Sequence, residues 1–207
     1  PTSFQTVETI ANMLEGSGFS QMYENNYGGW KNGNGYVIRG GSSLIAFSVP
    51  QKCLCRGFKL VCAHTDSPMF KFKENGEYAG PEGCLKLDVE KYGGMIAESW
   101  FDRPLSAAGR IVTDINGRLE SVSVNLKKPY FIIPNLAIHM TRSLNGTDKK
   151  PLSIQNDMQP VAADEGIYTL IEKETGIPRE HILGSDLYVD NAQEGCIMGD
   201  AASMVCA

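Results

Sequence analysis

The residues with the clearest capacity for chemistry are His64 and Asp66, in the run Leu60-Val61-Cys62-Ala63-His64-Thr65-Asp66-Ser67-Pro68. A neutral imidazole is a good zinc ligand, and a carboxylate beside it fixes the tautomer and raises the ring's basicity. Residues two apart on a strand share a face, so both side chains would point the same way. The competing reading is a histidine satisfied inside the core at a strand end. The two other histidines carry less signal. His139 lies in Ile132–Met140, where Pro134 could open a helix holding Leu136, Ala137, His139 and Met140. His181 follows Arg179 and Glu180 in a polar stretch and reads as surface.

These residues need elements to position them. An apolar run bounded by turn formers predicts a buried strand, so Phe58–Ala63 is expected to be a central strand. Pro68 moves Ser67 out of the helical region and should end that strand in a fixed loop. His64 and Asp66 would then stand at a strand's carboxyl end, where ligands bind in open α/β sheets.

Upstream, Val7, Ile10, Ala11 and Leu14 recur at helical spacing, with Thr2 or Ser3 as cap and Gly16 or Gly18 as stop. Residues 21–35 read as a loop. Tyr36–Arg39 and Ser43–Phe47 read as strands joined by a hairpin at Gly40-Gly41. Downstream, 71–83 reads as an exposed crossing. Leu85–Val89 alternates with period two, and further strands are expected at Met95–Trp100, Gly109–Thr113 and Leu119–Leu126, with a hairpin at Asn116-Gly117. Residues 145–160 read as a long loop. Asp164 would cap a helix bearing Ile167, Leu170 and Ile171, stopped by Gly176 and Pro178. Leu183–Val189 is the next strand. The shift to antiparallel β character places a boundary near residue 89.

The chain has 207 residues, a net charge of -5 and 42% hydrophobic residues, enough for a real core. Mild acidity without a lysine-arginine cluster argues against nucleic acid as a partner. No apolar run is long enough to span a bilayer, and no membrane role is expected. The six cysteines fit neither a zinc ribbon nor a secreted disulfide scaffold. Cys53-Leu54-Cys55 reads as two free thiols rather than a metal or redox pair. Free thiols point to the cytoplasm. Asn145-Gly146-Thr147 reads as a polar turn.

Several stretches, taken in order, resemble the aspartyl aminopeptidases, a family of dinuclear zinc exopeptidases. They are Ser43–Phe47, His64–Pro68, Tyr92-Gly93-Gly94, Trp100–Leu105 with Ala108-Gly109-Arg110, and Ile133–His139. The resemblance runs from about residue 10 to about 198. It implies an α/β class: a partial zinc-exopeptidase-type domain with an inserted β-rich dimerisation domain. Residues 1–88 would be the first part of the peptidase domain, 89–195 the dimerisation domain and 196–207 the start of the return. The resemblance also implies a homodimer and a dodecamer built from dimers.

By the same resemblance His64 binds one of two zinc ions, Asp66 orients His64, and His139 reaches the partner subunit's active site. The implied reaction removes N-terminal, acidic residues from peptide substrates with metal-activated water and a glutamate base. Trp100 and Phe101 are expected to pack the β domain or the dimer contact, and Asp102 and Arg103 to form an ion pair. The pattern's remaining metal ligands have no clear counterparts, and most would lie beyond Ala207. A missing segment near Gly199 and a truncation before the catalytic glutamates are therefore expected. The alternative is a catalytically incomplete fragment that acts only in assembly.

Overall fold

The structure is a computed structural model that describes residues 2–25, 33–50, 57–115, 117–141 and 151–206. The chain divides into two compact units, residues 1–67 and 68–207. Among the described residues no helix is long and apolar enough to cross a membrane. Cys53 and Cys55, Asn116 and the Asn145–Thr147 turn lie outside the described residues.

The first unit opens with α1 (Ser3–Gly16), capped as expected by Thr2, whose hydroxyl accepts from the Phe4 N–H. Phe4, Val7 and Ala11 form its buried stripe. A three-stranded sheet follows, of β1 (Ser20–Met22), β2 (Gly33–Arg39) and β3 (Ser43–Val49), in that order. The hairpin between β2 and β3 turns through Gly40 and Gly41, both at positive φ, as the glycine pair implied. Tyr36 is buried and donates to Glu15 Oε1 at 2.6 Å, tying β2 to α1. That bond, with burial, pushes the Tyr36 hydroxyl up to about 12.

Phe58–Ala63 departs from expectation. It forms no strand, and Phe58, Leu60 and Val61 are 95%, 83% and 98% exposed. A strand exists only where neighbours take up its backbone N–H and C=O groups. Among the described residues none pairs with this stretch.

The second unit is built on a sheet of β4 (Met69–Ala79), β5 (Leu85–Tyr92), β6 (Leu105–Ile115), β7 (Arg118–Asn125), β8 (Phe131–Ile132), β9 (Val161–Ala162) and β10 (Ile182–Asn191). The order is β10-β4-β5-β9-β8-β6-β7, and β10 also pairs with β6, so the sheet closes on itself. A small hairpin, β11 (Cys196–Met198) with β12 (Met204–Cys206), ends the unit. The helical pieces are α2 (Ile138–Thr141), α3 (Ile154–Asp157) and α4 (Ile167–Thr175). Gly176 ends α4 in the left-handed region, as its position implied, but the N-cap is Gly166 rather than Asp164.

Four expectations are corrected here. Residues 69–79 form a long strand, not an exposed crossing, because Phe70 and Phe72 alternate into the core. Met95–Trp100 holds a single 3-10 turn, Ala97–Trp100, instead of a strand. Among the described residues the helix expected from Pro134 starts only at Ile138 and spans Ile138–Thr141, leaving Leu136 and Ala137 outside it. The expected loop at 145–160 contains α3. Residues 88 and 89 both lie within β5.

The core of this unit gathers Phe70, Phe72, Leu87, Val89, Ile111 and Leu187, with Ile167, Leu170 and Ile171 of α4 packed among them. β6 is its centre, buried from Leu105 to Gly109 without a break. Asp186 on β10 accepts from Lys71 Nζ at 3.0 Å and from Arg110 Nε at 2.9 Å, linking three strands through one carboxylate. Burial pushes that carboxyl up, but the bonds from Lys71 and Arg110 outweigh burial and hold it below its ordinary value of 3.8. A carboxyl lowered by folding stabilises the protein fully above its unfolded value and loses that contribution as pH falls through the folded one. Asp186→Asn should therefore lower stability in urea by about 1–2 kcal/mol at pH 7, since the site is only partly buried. The difference from the parent should begin to shrink as pH falls below about 4 and close only below the lowered folded value, where both side chains are neutral. An equal gap at pH 7 and pH 3 would show that the charge is not what matters.

Candidate metal and catalytic residues

His64 lies in the irregular stretch 57–67 of the first unit, and its side chain is 80% exposed. Its Nδ1 is 2.7 Å from the backbone carbonyl oxygen of Asp66 and 3.3 Å from Asp66 Oδ1. A carbonyl oxygen only accepts, so Nδ1 carries the hydrogen. In the neutral ring this leaves the lone pair on Nε2 of a largely exposed side chain, the arrangement a metal-ligating histidine uses. The sequence suggested the Asp66 carboxylate as the orienting group; the carbonyl of the same residue is the closer partner. A second contact was not foreseen. Thr65 Oγ1 donates to the Ser42 carbonyl at 2.8 Å, which fastens the loop to the turn between β2 and β3. No residue pattern signals it, because residues 57–67 form no strand and the contact follows the path of the loop.

His139 belongs to the second unit and is exposed on α2. It has no hydrogen-bond partner among the described residues. His181 is exposed in the 3-10 turn Arg179–His181, as its polar setting implied. Trp100 and Phe101 pack on the core, Trp100 edge-on to Phe70 at 5.4 Å between ring centroids. The expected ion pair between Asp102 and Arg103 is not formed. The Asp102 carboxylate instead accepts the Asn135 N–H at 2.9 Å.

His64 fits one zinc ligand, with its tautomer already set. Among the described residues no cluster of three or more His, Cys, Asp or Glu side chains could hold a metal ion. A closed zinc shell takes about four ligands, so these residues supply one ligand and not a complete site.

Family comparison gives this geometry its context. The family model described as aminopeptidase I zinc metalloprotease (M18) matches residues 1–207. The chain belongs to the M18 family. It is 38% identical, over 96% of its length, to a probable M18 family aminopeptidase 2 of Clostridium acetobutylicum, and covers 48% of that protein. Among solved structures it is similar to a chain in the cryo-EM structure of the Ape4 and Nbr1 complex, with 29% identity and a TM-score of 0.87, covering 99% of this chain and 44% of that one. The S. cerevisiae mApe1 dodecamer shares the fold at 22% identity and a TM-score of 0.78, covering 99% of this chain and 48% of that one. The chain spans about half the length of the curated M18 relatives it matches.

Within this M18 chain the Ala108-Gly109-Arg110 motif has a structural use. Gly109, at φ +150°, lets β10 run close against β6, and Arg110 holds Asp186.

Proposed function

We propose that this chain carries part of the active site of a zinc aminopeptidase that removes N-terminal, acidic residues from peptides. The observation that carries the reading is the His64 ring, exposed and held at Nδ1 by Asp66 so that Nε2 is available to a metal. M18 membership supports zinc as that metal. In this reading the complete site holds two zinc ions, with further ligands from outside the described residues. Bound zinc lowers the pKa of a coordinated water and so supplies a nucleophile near neutral pH. The chain's own contributions are narrower. His64 offers Nε2, Asp66 and Thr65 fix the loop that carries it, and His139 donates a hydrogen bond to the substrate carbonyl in the partner subunit's site.

Residues 1–88 are read as the first part of the peptidase domain, 89–195 as the dimerisation domain and 196–207 as the start of the return. A homodimer, a dodecamer assembled from dimers and a cytoplasmic location go with this reading. The test is release of N-terminal aspartate or glutamate from short peptides, with neutral N-terminal residues as comparison and a chelator as control. Acid-selective, chelator-sensitive release is expected.

A second reading has one observation in its favour. The described residues do not assemble a metal cluster, which fits a fragment that acts only in assembly through the closed sheet. Dimers in solution without bound zinc and without turnover would decide for it.

Asp66 gives a graded prediction. Asp66→Ala removes the carboxylate but leaves the carbonyl that receives Nδ1–H. It should lower zinc affinity and peptide release by about tenfold, the lower end for loss of a group that steadies a ligand. Metal titration of the two proteins checks this. A loss as large as that from removing His64 itself would make Asp66 a ligand.

A further inference from the structure

The turn between Trp100 and Leu105 holds an unfavourable backbone conformation, and it is bonded to the segment leading to His139. Asp102 has φ +58°, a region that L residues avoid and that aspartate and asparagine tolerate best. Two bonds leave this one residue. Its N–H donates to the Ile133 carbonyl at 2.9 Å, and its Oδ1 accepts from the Asn135 N–H at 2.9 Å. Asn135 Oδ1 then accepts from the Leu136 N–H at 2.9 Å.

Both sides of this clamp are fixed to the core. Leu105 pairs with Phe131, the Tyr130 N–H donates to the Leu105 carbonyl, and Ile133 is fully buried. The backbone is thus held from Tyr130 to Leu136, and His139 follows in the next turn. Strain of this kind persists where the surroundings over-determine it, and it gathers at functional sites.

We propose that Asp102 is a positioning residue for His139: its left-handed backbone and its carboxylate together hold Ile133–Leu136 so that the imidazole is presented in one place. This rests on the reading that His139 acts on the substrate. The carboxylate fits that task better than an ion pair, because it is spent on a backbone N–H whose position sets the path into α2.

Three substitutions separate the two components. Asp102→Asn keeps an acceptor and tolerates the backbone conformation. Asp102→Gly keeps the conformation and removes the acceptor. Asp102→Ala loses both. Amide hydrogen exchange at Asn135, read by NMR beside the His139 ring signals, is the direct measurement. We expect Asn135 to exchange roughly tenfold faster in the Gly and Ala variants, with the His139 signals displaced or broadened, and near-parental behaviour in the Asn variant. If the Ala variant does not fold, the Gly variant decides. Unchanged exchange at Asn135 in the Gly variant, or unchanged His139 signals beside faster exchange, overturns the proposal.

Peptide release adds a second readout. In the Gly variant kcat should fall with KM little changed, and the Asn variant should restore it. His139→Ala separates the two claims. Full turnover in that variant removes His139 from the reaction while the exchange result still stands or falls by itself.

Discussion

Gly109→Ala is expected to unfold the second unit or leave it barely stable. Gly109 sits at φ +150° on β6, opposite Leu187 of β10. A Cβ built there would overlap the Asp186 carbonyl oxygen and lie 3.0 Å from the Leu187 Cα. Both obstacles are backbone atoms, so no side-chain rotation relieves them. β10 would have to move away from β6, and with it the Asp186 carboxylate that joins Lys71 and Arg110. The expected loss is on the order of 3–5 kcal/mol, in the tail of single-residue effects. It should lower the thermal midpoint by more than about 10 °C or yield insoluble protein. A soluble variant melting within a few degrees of the parent would mean that the two strands are not packed this closely.

His64→Ala is expected to have the largest effect on catalysis. The described residues bring one imidazole into a geometry fit for zinc, and on the proposed function removing it deletes a metal ligand. A metal supplies several kcal/mol of transition-state stabilisation, so peptide release should fall by roughly a thousandfold or more. The thermal midpoint should barely change, because an 80% exposed side chain contributes little packing. Loss of activity together with loss of folding would assign His64 a structural role instead.

The two units were legible to different degrees. Local signals succeeded where the cause is local: the Thr2 cap, the Gly40-Gly41 turn and the Gly176 stop each fix backbone angles within a few residues. The closed sheet was visible as antiparallel character but not as closure, since β10 meets β4 and β6 through pairings distant in sequence. β4 was missed because Lys71, Lys73 and Glu74 masked the alternation of Phe70 and Phe72. The stretch expected to be a central strand, 58–63, is exposed, and β6 holds the buried centre instead. Apolar composition announces a preference for burial, whereas burial itself needs partners. The His-x-Asp spacing anticipates a contact between His64 and Asp66, which forms. That the Asp66 carbonyl, rather than its carboxylate, is the nearer acceptor depends on a loop conformation that residue types do not encode. Asp102 was read as half of an ion pair, because a carboxylate next to an arginine looks paired until the backbone of 133–135 is seen beside it.

The central claim is that His64 offers Nε2 to zinc while Nδ1 stays protonated against Asp66. NMR of the ring nitrogens of His64 during a zinc titration measures this directly. Zinc should move the Nε2 resonance and leave Nδ1 protonated throughout. A His64 ring untouched by zinc, or one that binds through Nδ1 after breaking from the Asp66 carbonyl, would contradict it.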